Sequence, residues 1–526
     1  MHESLLLLLS LGAIVGCAVV ANRLRLPYPI VFVIGGALLA LIPNLPDVHL
    51  DPNWVFLIFL PPLLYSGGWL TDWTMFKENL RPIGLLAVGL VVFTTGIVGV
   101  AAHHLLPQIG WPAAFALGAI VSPPDAVAAS AVFERFPVPR RVIAILDGEG
   151  LMNDATALVI YRFAVVAALT GVFSPVQASL AFVFVSIGGV AVGLIMAFGF
   201  IRLQQLLDKL ELSDDELSVV LSLVVPYAIY LAGDALHVSG VLATVSAGIY
   251  VSRKSSQLFT PDARLVAYSV WNLLIFLLNG LVFLLIGLQV RDIVHDPSFA
   301  LRMIWIGIEI SAIVIVVRLV WVYVVTYGTR VVFPVIARRE GWPPATSVFV
   351  IAWSGMRGII TLAGALALPL RDRYGHPFPG RDAIIFISLC VVFATLVLQG
   401  LSLIPILKFL KIDSGEDLQQ REIEVRVAAL KAGIARLRQL EPGFDSTTEW
   451  EIEGRILHEY EYRIDHLLGH AQAGEQVELN LDHRLQTAAL EAERAEILRM
   501  RAAGEIPDEI YRHVEYDLDL ATARLT

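Results

Sequence analysis

Apolar runs of membrane-crossing length recur along this chain from its first residues to about residue 410. A helix needs about twenty residues to cross a hydrocarbon core of about 30 Å, whereas a tilted barrel strand needs about ten. The runs here are of helical length. Hydrophobic residues make up 56% of the 526 residues and charged residues 16%, with mean hydropathy +0.70; a soluble domain carries about 25% charge. The sequence therefore predicts an all-α polytopic membrane protein and excludes a string of soluble domains.

Thirteen crossing segments are read at about 4–21, 28–44, 54–70, 82–104, 112–133, 142–171, 176–201, 216–235, 237–252, 265–290, 300–329, 344–370 and 383–409. Residues 1–410 form a membrane domain and residues 411–526 a tail without a spanning run. The first part carries 24 Lys+Arg against 23 Asp+Glu and the tail 14 against 25, so the formal charge of −10 belongs to the tail. Charged stretches at Arg421–Leu440, Glu449–Leu468 and Leu481–Arg501 repeat apolar residues at threes and fours and predict a small acidic cytoplasmic helical domain or dimer contact, with a regulatory domain as the alternative. No basic patch supports nucleic-acid binding. Cys17 and Cys390 stand far apart in apolar runs and offer neither a disulfide framework nor metal-ligand spacing.

Loop charge orients the bundle. Loops after odd-numbered segments hold Arg23, Arg25, Lys77, Arg81, Arg135, Arg140, Arg141, Arg202, Lys209, Arg253, Lys254, Arg264, Arg330, Arg338 and Arg339; those after even-numbered segments hold Arg291, Arg371, Arg373 and Arg381. The positive-inside rule puts the odd loops in the cytoplasm, the N-terminus outside and the tail inside. The positive charges near the first run follow it, and a signal peptide has the opposite polarity, so a retained first helix is expected.

Charges inside apolar runs demand partners, water or a function, since each costs at least ~3 kcal/mol at bilayer depth. Asp125 follows Pro123 and Pro124 in segment five, and Arg357 lies between Gly355 and Gly358 in segment twelve. Both stretches predict broken helices, which bilayer depth tolerates only where they line protein or water. Segments five and twelve run in opposite directions, one in each half of the chain, the pattern of inverted repeats in a secondary transporter. Asp125 would offset the positive N-terminal half-helix ends and Arg357 the negative C-terminal ends. Segment six holds Glu149, Asn153 and Asp154. Arg318 in segment eleven is the natural partner of Glu149, because burying either alone is prohibitive. Asp154 is left as an unpaired carboxylate that can take a proton or, ionised, a small hard cation through oxygen ligands, but not easily both. Such competition is by itself an exchange mechanism. Arg162 and Glu309 acquire no role from this reading.

At these residues the chain resembles a bacterial sodium/proton antiporter of the cation/proton antiporter family whose eukaryotic members are the sodium/hydrogen exchangers. The resemblance covers residues 1–410 and rests on Phe59–Tyr65, Ala119–Val127, Gly148–Ala157, Ser239–Ala243, Arg318, Gly355–Gly358 and Gln399-Gly400. It implies inverted repeats with two crossing broken helices, a dimerisation domain, a mobile core domain and a homodimer in the inner membrane, serving pH homeostasis. By position, Asp154 would bind proton or Na⁺, Asn153 would orient the site and pair with the broken segment, and Glu149 with Arg318 would form the core salt bridge. Asn153, where an electrogenic branch has a second Asp, implies one-for-one, electroneutral exchange. The family often has Thr-Asp-Pro where this chain has Pro124-Asp125-Ala126, Ser where it has Gly150, and Glu where it has Ser66. Backbone carbonyls at Ser122–Pro124 and water would fill the gaps in the ligand set, which leaves Na⁺, Li⁺ and K⁺ all as candidate substrates. No cofactor is expected. A cation channel would show filter loops or charged rings, and an intramembrane hydrolase a nucleophile or metal cluster; the sequence has neither.

Overall fold

A computed structural model of the chain describes residues 2–42, 52–133, 136, 138–212, 214–254, 258–289, 297–371, 376–410, 418–440, 447–471, 476–503 and scattered residues between 510 and 522. Arg135, Arg291, Arg373 and the expected boundary at 410/411 touch positions outside the described residues. Two compact units are present, Met1–Ser414 and Gly415–Thr526.

In the first unit the helices are α1 (His2–Leu24), α2 (Tyr28–Ala40), α3 (Pro52–Ile58 and Leu60–Leu70), α4 (Leu80–Leu105), α5a (Gly110–Val121), α5b (Ala126–Phe133), α6 (Arg140–Thr170), α7 (Pro175–Lys209), α8 (Asp215–Ala235), α9 (Gly240–Ser252), α10 (Pro261–Leu288), α11 (Pro297–Tyr323, extended by turns to Val332), α12a (Ala345–Trp353), α12b (Ile359–Leu366) and α13 (Arg381–Leu410). Among the described residues, eight helical stretches are long and apolar enough to cross a membrane, and four shorter apolar helices join them. The chain is a multi-pass membrane protein.

Several ends differ from expectation for local reasons. Segment seven was expected to stop near residue 201, where apolar residues thin out, but α7 runs on to Lys209. Its buried Gln204 donates to Ser218 Oγ at 2.5 Å, which gives the extra turns a partner on α8. Segment nine starts later than expected, at Gly240, because His237 takes a positive φ and Ser239 caps the helix by accepting from the Leu242 amide at 3.1 Å. Asp72 caps the short helix Trp73–Glu78, accepting from the Thr74 and Met75 amides.

The helices sort by their packing into two groups. α1–α3 pack chiefly with α7–α10, and α4–α6 chiefly with α11–α13. Tyr65, Trp69, Ala243 and Trp271 share an apolar cluster within the first group; Val98, Leu117, Ile310 and Ile387 share one within the second. A smaller cluster crosses the seam: Leu60 and Leu64 of α3 and Val241, Leu242 and Val245 of α9 meet Leu151 and Ala155 of α6. Asp154 therefore stands in the helix turn that faces the seam.

Close backbone approach holds α3 to α9. A Cβ on Gly68 would lie 2.6 Å from the Val245 carbonyl oxygen, and one on Gly248 would lie 2.5 Å from that of Tyr65. The second unit is built from α14 (Leu418–Leu440), α15 (Thr447–Ala471) and α16 (Gln476–Ala502). Within it Val427 and Ile464 are buried and Gly433 seats the Tyr460 ring.

An alanine scan of helix glycines should separate these contacts. Gly→Ala in a helix ordinarily stabilises by about 0.5–1 kcal/mol. Gly199→Ala, with nothing within 4 Å of the new methyl, should leave the melting temperature unchanged or raised. Gly248→Ala should lower it, since overpacking costs about 1–3 kcal/mol. Equal melting temperatures for the two variants would remove the close approach as a source of stability.

Candidate functional site

The centre of the first unit is where two helices stop. α5a ends at Val121 and α5b starts at Ala126; α12a ends at Trp353 and α12b starts at Ile359. Pro123 and Pro124 remove donors from the first break, and Ser354–Gly358 is non-helical in the second. The breaks meet: the Asp125 amide donates to the Met356 carbonyl at 2.7 Å.

Broken helices in a dry interior leave carbonyls and amides unpaired. The fully buried Arg357 covers the carbonyls at the end of α5a, its Nε donating to Val121 O at 3.1 Å and its Nη2 to Ser122 O at 3.4 Å. It also donates from Nη1 to Gly355 O, and its amide donates to Thr395 Oγ1 at 3.0 Å. The end of α12a is covered by Gln399, whose Nε2 donates to Trp353 O at 2.9 Å, and by Arg318, whose Nη2 donates to Ile351 O at 3.0 Å. A π-helical stretch of α13, Thr395–Gln399, carries both the Thr395 and Gln399 contacts, and such bulges are frequent at functional sites. At the opposite ends, Asp125 Oδ1 accepts from the Val127 amide at 2.9 Å at the start of α5b. Its carboxylate also lies against Gly358, where a Cβ would collide with it.

Arg318 and Glu149 are 0% and 1% exposed and form a two-pronged pair, Nη1 to Oε1 at 2.6 Å and Nη2 to Oε2 at 2.8 Å. Gly355 lies against the Arg318 side chain, with Arg357 Nη1 3.0 Å from the position of a Cβ, so the two arginines are separated by a residue that has no side chain to place there.

α6 runs past the first break and touches it repeatedly. Asn153 Nδ2 donates to Pro124 O at 2.9 Å, and its buried Oδ1 has no protein partner. One turn away a Cβ on Gly150 would come to 2.6 Å from Ala126 Cβ, so a serine there would crowd α5b. A further turn on, Asp147 accepts from Ser130 Oγ at 3.0 Å. Asp154 is 6% exposed, and no hydrogen bond or ion pair among the described residues engages its carboxylate.

Of the residues singled out from sequence, the structure brings together Glu149 with Arg318, Asn153 with Pro124, Arg357 with Ser122, and Asp125 with the start of α5b. Ser122 Oγ turns back to Ala119 O at 3.0 Å, so the residue offers the break its carbonyl rather than its hydroxyl. Arg162 pairs with Asp234 of α8 at 3.5 Å, both side chains well exposed. Glu309 lies on an exposed face of α11 near Trp305, and nothing in the structure gives it a role. The backbone contacts of Thr395 and Gln399 and the Asp147–Ser130 contact were not anticipated, although Gln399 belongs to the stretches that carry the resemblance. A lone Thr or Gln in an apolar run carries no local signal of the backbone it will serve.

The family described as "Sodium/hydrogen exchanger, transmembrane" matches residues 6–409. The chain belongs to this family. Among its relatives is the uncharacterized Na⁺/H⁺ exchanger YjcE of Escherichia coli, 34% identical over 95% of this chain and 94% of that one. Another is a sodium, potassium, lithium and rubidium/H⁺ antiporter of Bacillus pumilus, 35% identical over 83% of this chain and 66% of its own length. In fold it is similar to the sodium proton antiporter MjNhaP1 of Methanocaldococcus jannaschii, with a TM-score of 0.60 at 18% identity, covering 79% of this chain and all of that one. This exchanger family is one of transporters, and in this chain the two breaks are where buried charge gathers.

The buried pair has a measurable signature. Glu149→Gln or Arg318→Gln alone leaves one buried charge uncompensated and should cost roughly 3–5 kcal/mol. The double replacement should recover part of that loss, read as melting temperature or folded yield. Strict additivity of the two single effects would mean that they do not stabilise one another.

Proposed function

We propose that this chain is a secondary active antiporter that exchanges a monovalent cation, Na⁺ first among them, for a proton, one for one, with the two competing for Asp154. The observation that carries the reading is that Asp154 is the unengaged acid of the crossing. Glu149 is held by Arg318, Asp125 by the Val127 amide and Asp147 by Ser130, while Asp154 is buried with no partner among the described residues. A carboxylate out of water is stabilised by whichever cation it can bind. The free Asn153 Oδ1 and the second lone pairs of the Ser122 and Pro124 carbonyls are the oxygens that could complete a cation's shell. Family membership supports cation/proton exchange as the reaction. A second reading, exchange that also accepts K⁺, is favoured by the name of the Bacillus pumilus relative, and by the Gly150 and Ser66 positions, which remove ligands that would sharpen ion choice.

The position of Asp154 at the seam supports alternating access. In this reading α4–α6 with α11–α13 form a core that carries the site, and α1–α3 with α7–α10 form the body against which it moves. That body would also make a homodimer, α7 leaving most of its apolar length uncovered. The loop charges support a cytoplasmic tail and an external N-terminus, in the bacterial inner membrane, with pH homeostasis as the use.

Everted vesicles test the reaction. Adding Na⁺, Li⁺, K⁺ or Rb⁺ in turn to vesicles with a preset pH gradient should dissipate the gradient for the accepted ions. Asp154→Asn, folded and inserted, should fall to the rate of vesicles lacking the protein. Wild-type rates from that variant would take Asp154 out of the mechanism.

Stoichiometry follows from the same competition. One proton against one monovalent ion moves no net charge, whereas each charge translocated would couple to the potential by about 2.3 kcal/mol per 100 mV. In sealed proteoliposomes, rate and endpoint should be nearly indifferent to an imposed potassium-diffusion potential, once the K⁺ gradient is shown not to drive exchange. A transient current on adding the cation would mean that a second group titrates, Asp125 foremost.

A further inference from the structure

Away from the crossing, at the end of α11, three arginines share one carboxylate oxygen. Glu340 Oε2 lies 2.7 Å from Arg81 Nη2, 3.0 Å from Arg330 Nη2 and 3.8 Å from Arg141 Nη2. The arginines come from the starts of α4 and α6 and the end of α11, and Glu340 ends the short helix Pro334–Glu340. One carboxylate cannot balance three guanidiniums, so the cluster carries two uncompensated positive charges. Neutral acceptors hold it in shape: Arg81 Nη1 donates to Thr329 Oγ1 at 3.1 Å, Arg141 Nε to Asn79 Oδ1 at 2.9 Å and Arg330 Nε to Gly341 O at 2.8 Å. Arg81 Nε is buried with no hydrogen-bond partner among the described residues. Arg330 is buried, yet the Arg81 and Arg141 side chains are 30% and 40% exposed, so the excess charge is reachable from outside. The same short helix adds exposed Arg338 and Arg339.

The surroundings say what kind of anion. The stretch Leu301–Val332 is 32 residues long. That is about 48 Å of helix, against a hydrocarbon core of about 30 Å. Its end therefore emerges at headgroup level. There the chain turns at Phe333 and exposes Val331, Val332, Phe333, Val335 and Trp342, the last stacked on Tyr327. Arginines beside an exposed apolar and aromatic surface form the pattern of an interfacial helix whose apolar side enters the acyl boundary while its basic side meets headgroups.

We propose that Arg81, Arg141 and Arg330, with Arg338 and Arg339, bind the phosphate of an anionic phospholipid whose acyl chains lie along Phe333, Val335 and Trp342. A free anion would have no use for the apolar flank, and a zwitterionic lipid would leave the excess charge in place.

The full-length protein in mild detergent is melted with dioleoyl phosphatidylglycerol, with dioleoyl phosphatidylcholine and with inorganic phosphate, and bound lipid is counted by native mass spectrometry. Phosphatidylglycerol should bind and raise the melting temperature, more so at low salt, and the other two probes should not. Removal of each arginine should weaken that binding about fivefold. Arg141→Gln, and separately Arg338→Gln with Arg339→Gln on the exposed helix, should therefore shrink the difference between the two lipids even where the absolute melting temperature shifts. Equal responses to the two lipids, a shift reproduced by phosphate alone, or a full phosphatidylglycerol response from both variants would each overturn the proposal. The readout is independent of transport, so it stands or falls apart from the exchange reaction.

Discussion

A helix cannot end inside a membrane without something to receive its unpaired backbone groups. Two helices end there in this protein, and the surrounding structure is arranged around that fact. Arg357 takes the carbonyls of α5a, Arg318 and Gln399 take those of α12a, and Asp125 takes an amide of α5b. Burying those charges then requires further partners. Glu149 answers Arg318, and Gly355 leaves room for two guanidiniums side by side. One requirement generates the next, and the series stops at Asp154, which serves no backbone and has no counter-charge. It is on that residue that the proposed exchange of proton and cation rests.

The glycines of the crossing show how little tolerance this arrangement has. Gly358 faces the Asp125 carboxylate, Gly150 faces Ala126 and Gly355 faces Arg318. At each, a single methyl would enter occupied space. Small residues in membrane helices are usually read as packing contacts. Here three of them surround charged or unwound backbone, where close approach replaces the water that would otherwise solvate it.

Much of this could be read in the chain before its structure, and the reason is economic in the physical sense only: a charge in an apolar run has few ways to be stable. Pro123-Pro124-Asp125 and Gly355-Met356-Arg357-Gly358 mark their breaks by chemistry that no intact helix accommodates. Helix ends were less legible. α7 outruns its apolar stretch because Gln204 finds Ser218 on a neighbouring helix, a fact of packing rather than of hydropathy. Among contacts made by uncharged residues, that of Asn153 was legible through the resemblance, whereas Thr395 is one hydroxyl in a run of aliphatic neighbours. The Arg81–Arg141–Arg330 cluster was visible only as loop charge that orients the bundle, because nothing local indicates that loops 60 and 190 residues apart converge on Glu340.

The hydrogen bond from Asp125 to Met356 joins the two breaks directly, and Arg357 and the Asp125 carboxylate brace them from either side. A chamber whose walls are riveted to one another cannot open like a door. Parting α5 from α12 would bare several backbone groups and two charges at once, and each polar group left unpaired out of water is costly. In the proposed exchange cycle the two joined breaks would therefore keep their shape as access passes from one face of the bilayer to the other. What would change in that cycle is the surface they face, and the apolar contacts of Leu151 and Ala155 with α3 and α9 lie where such a movement would run.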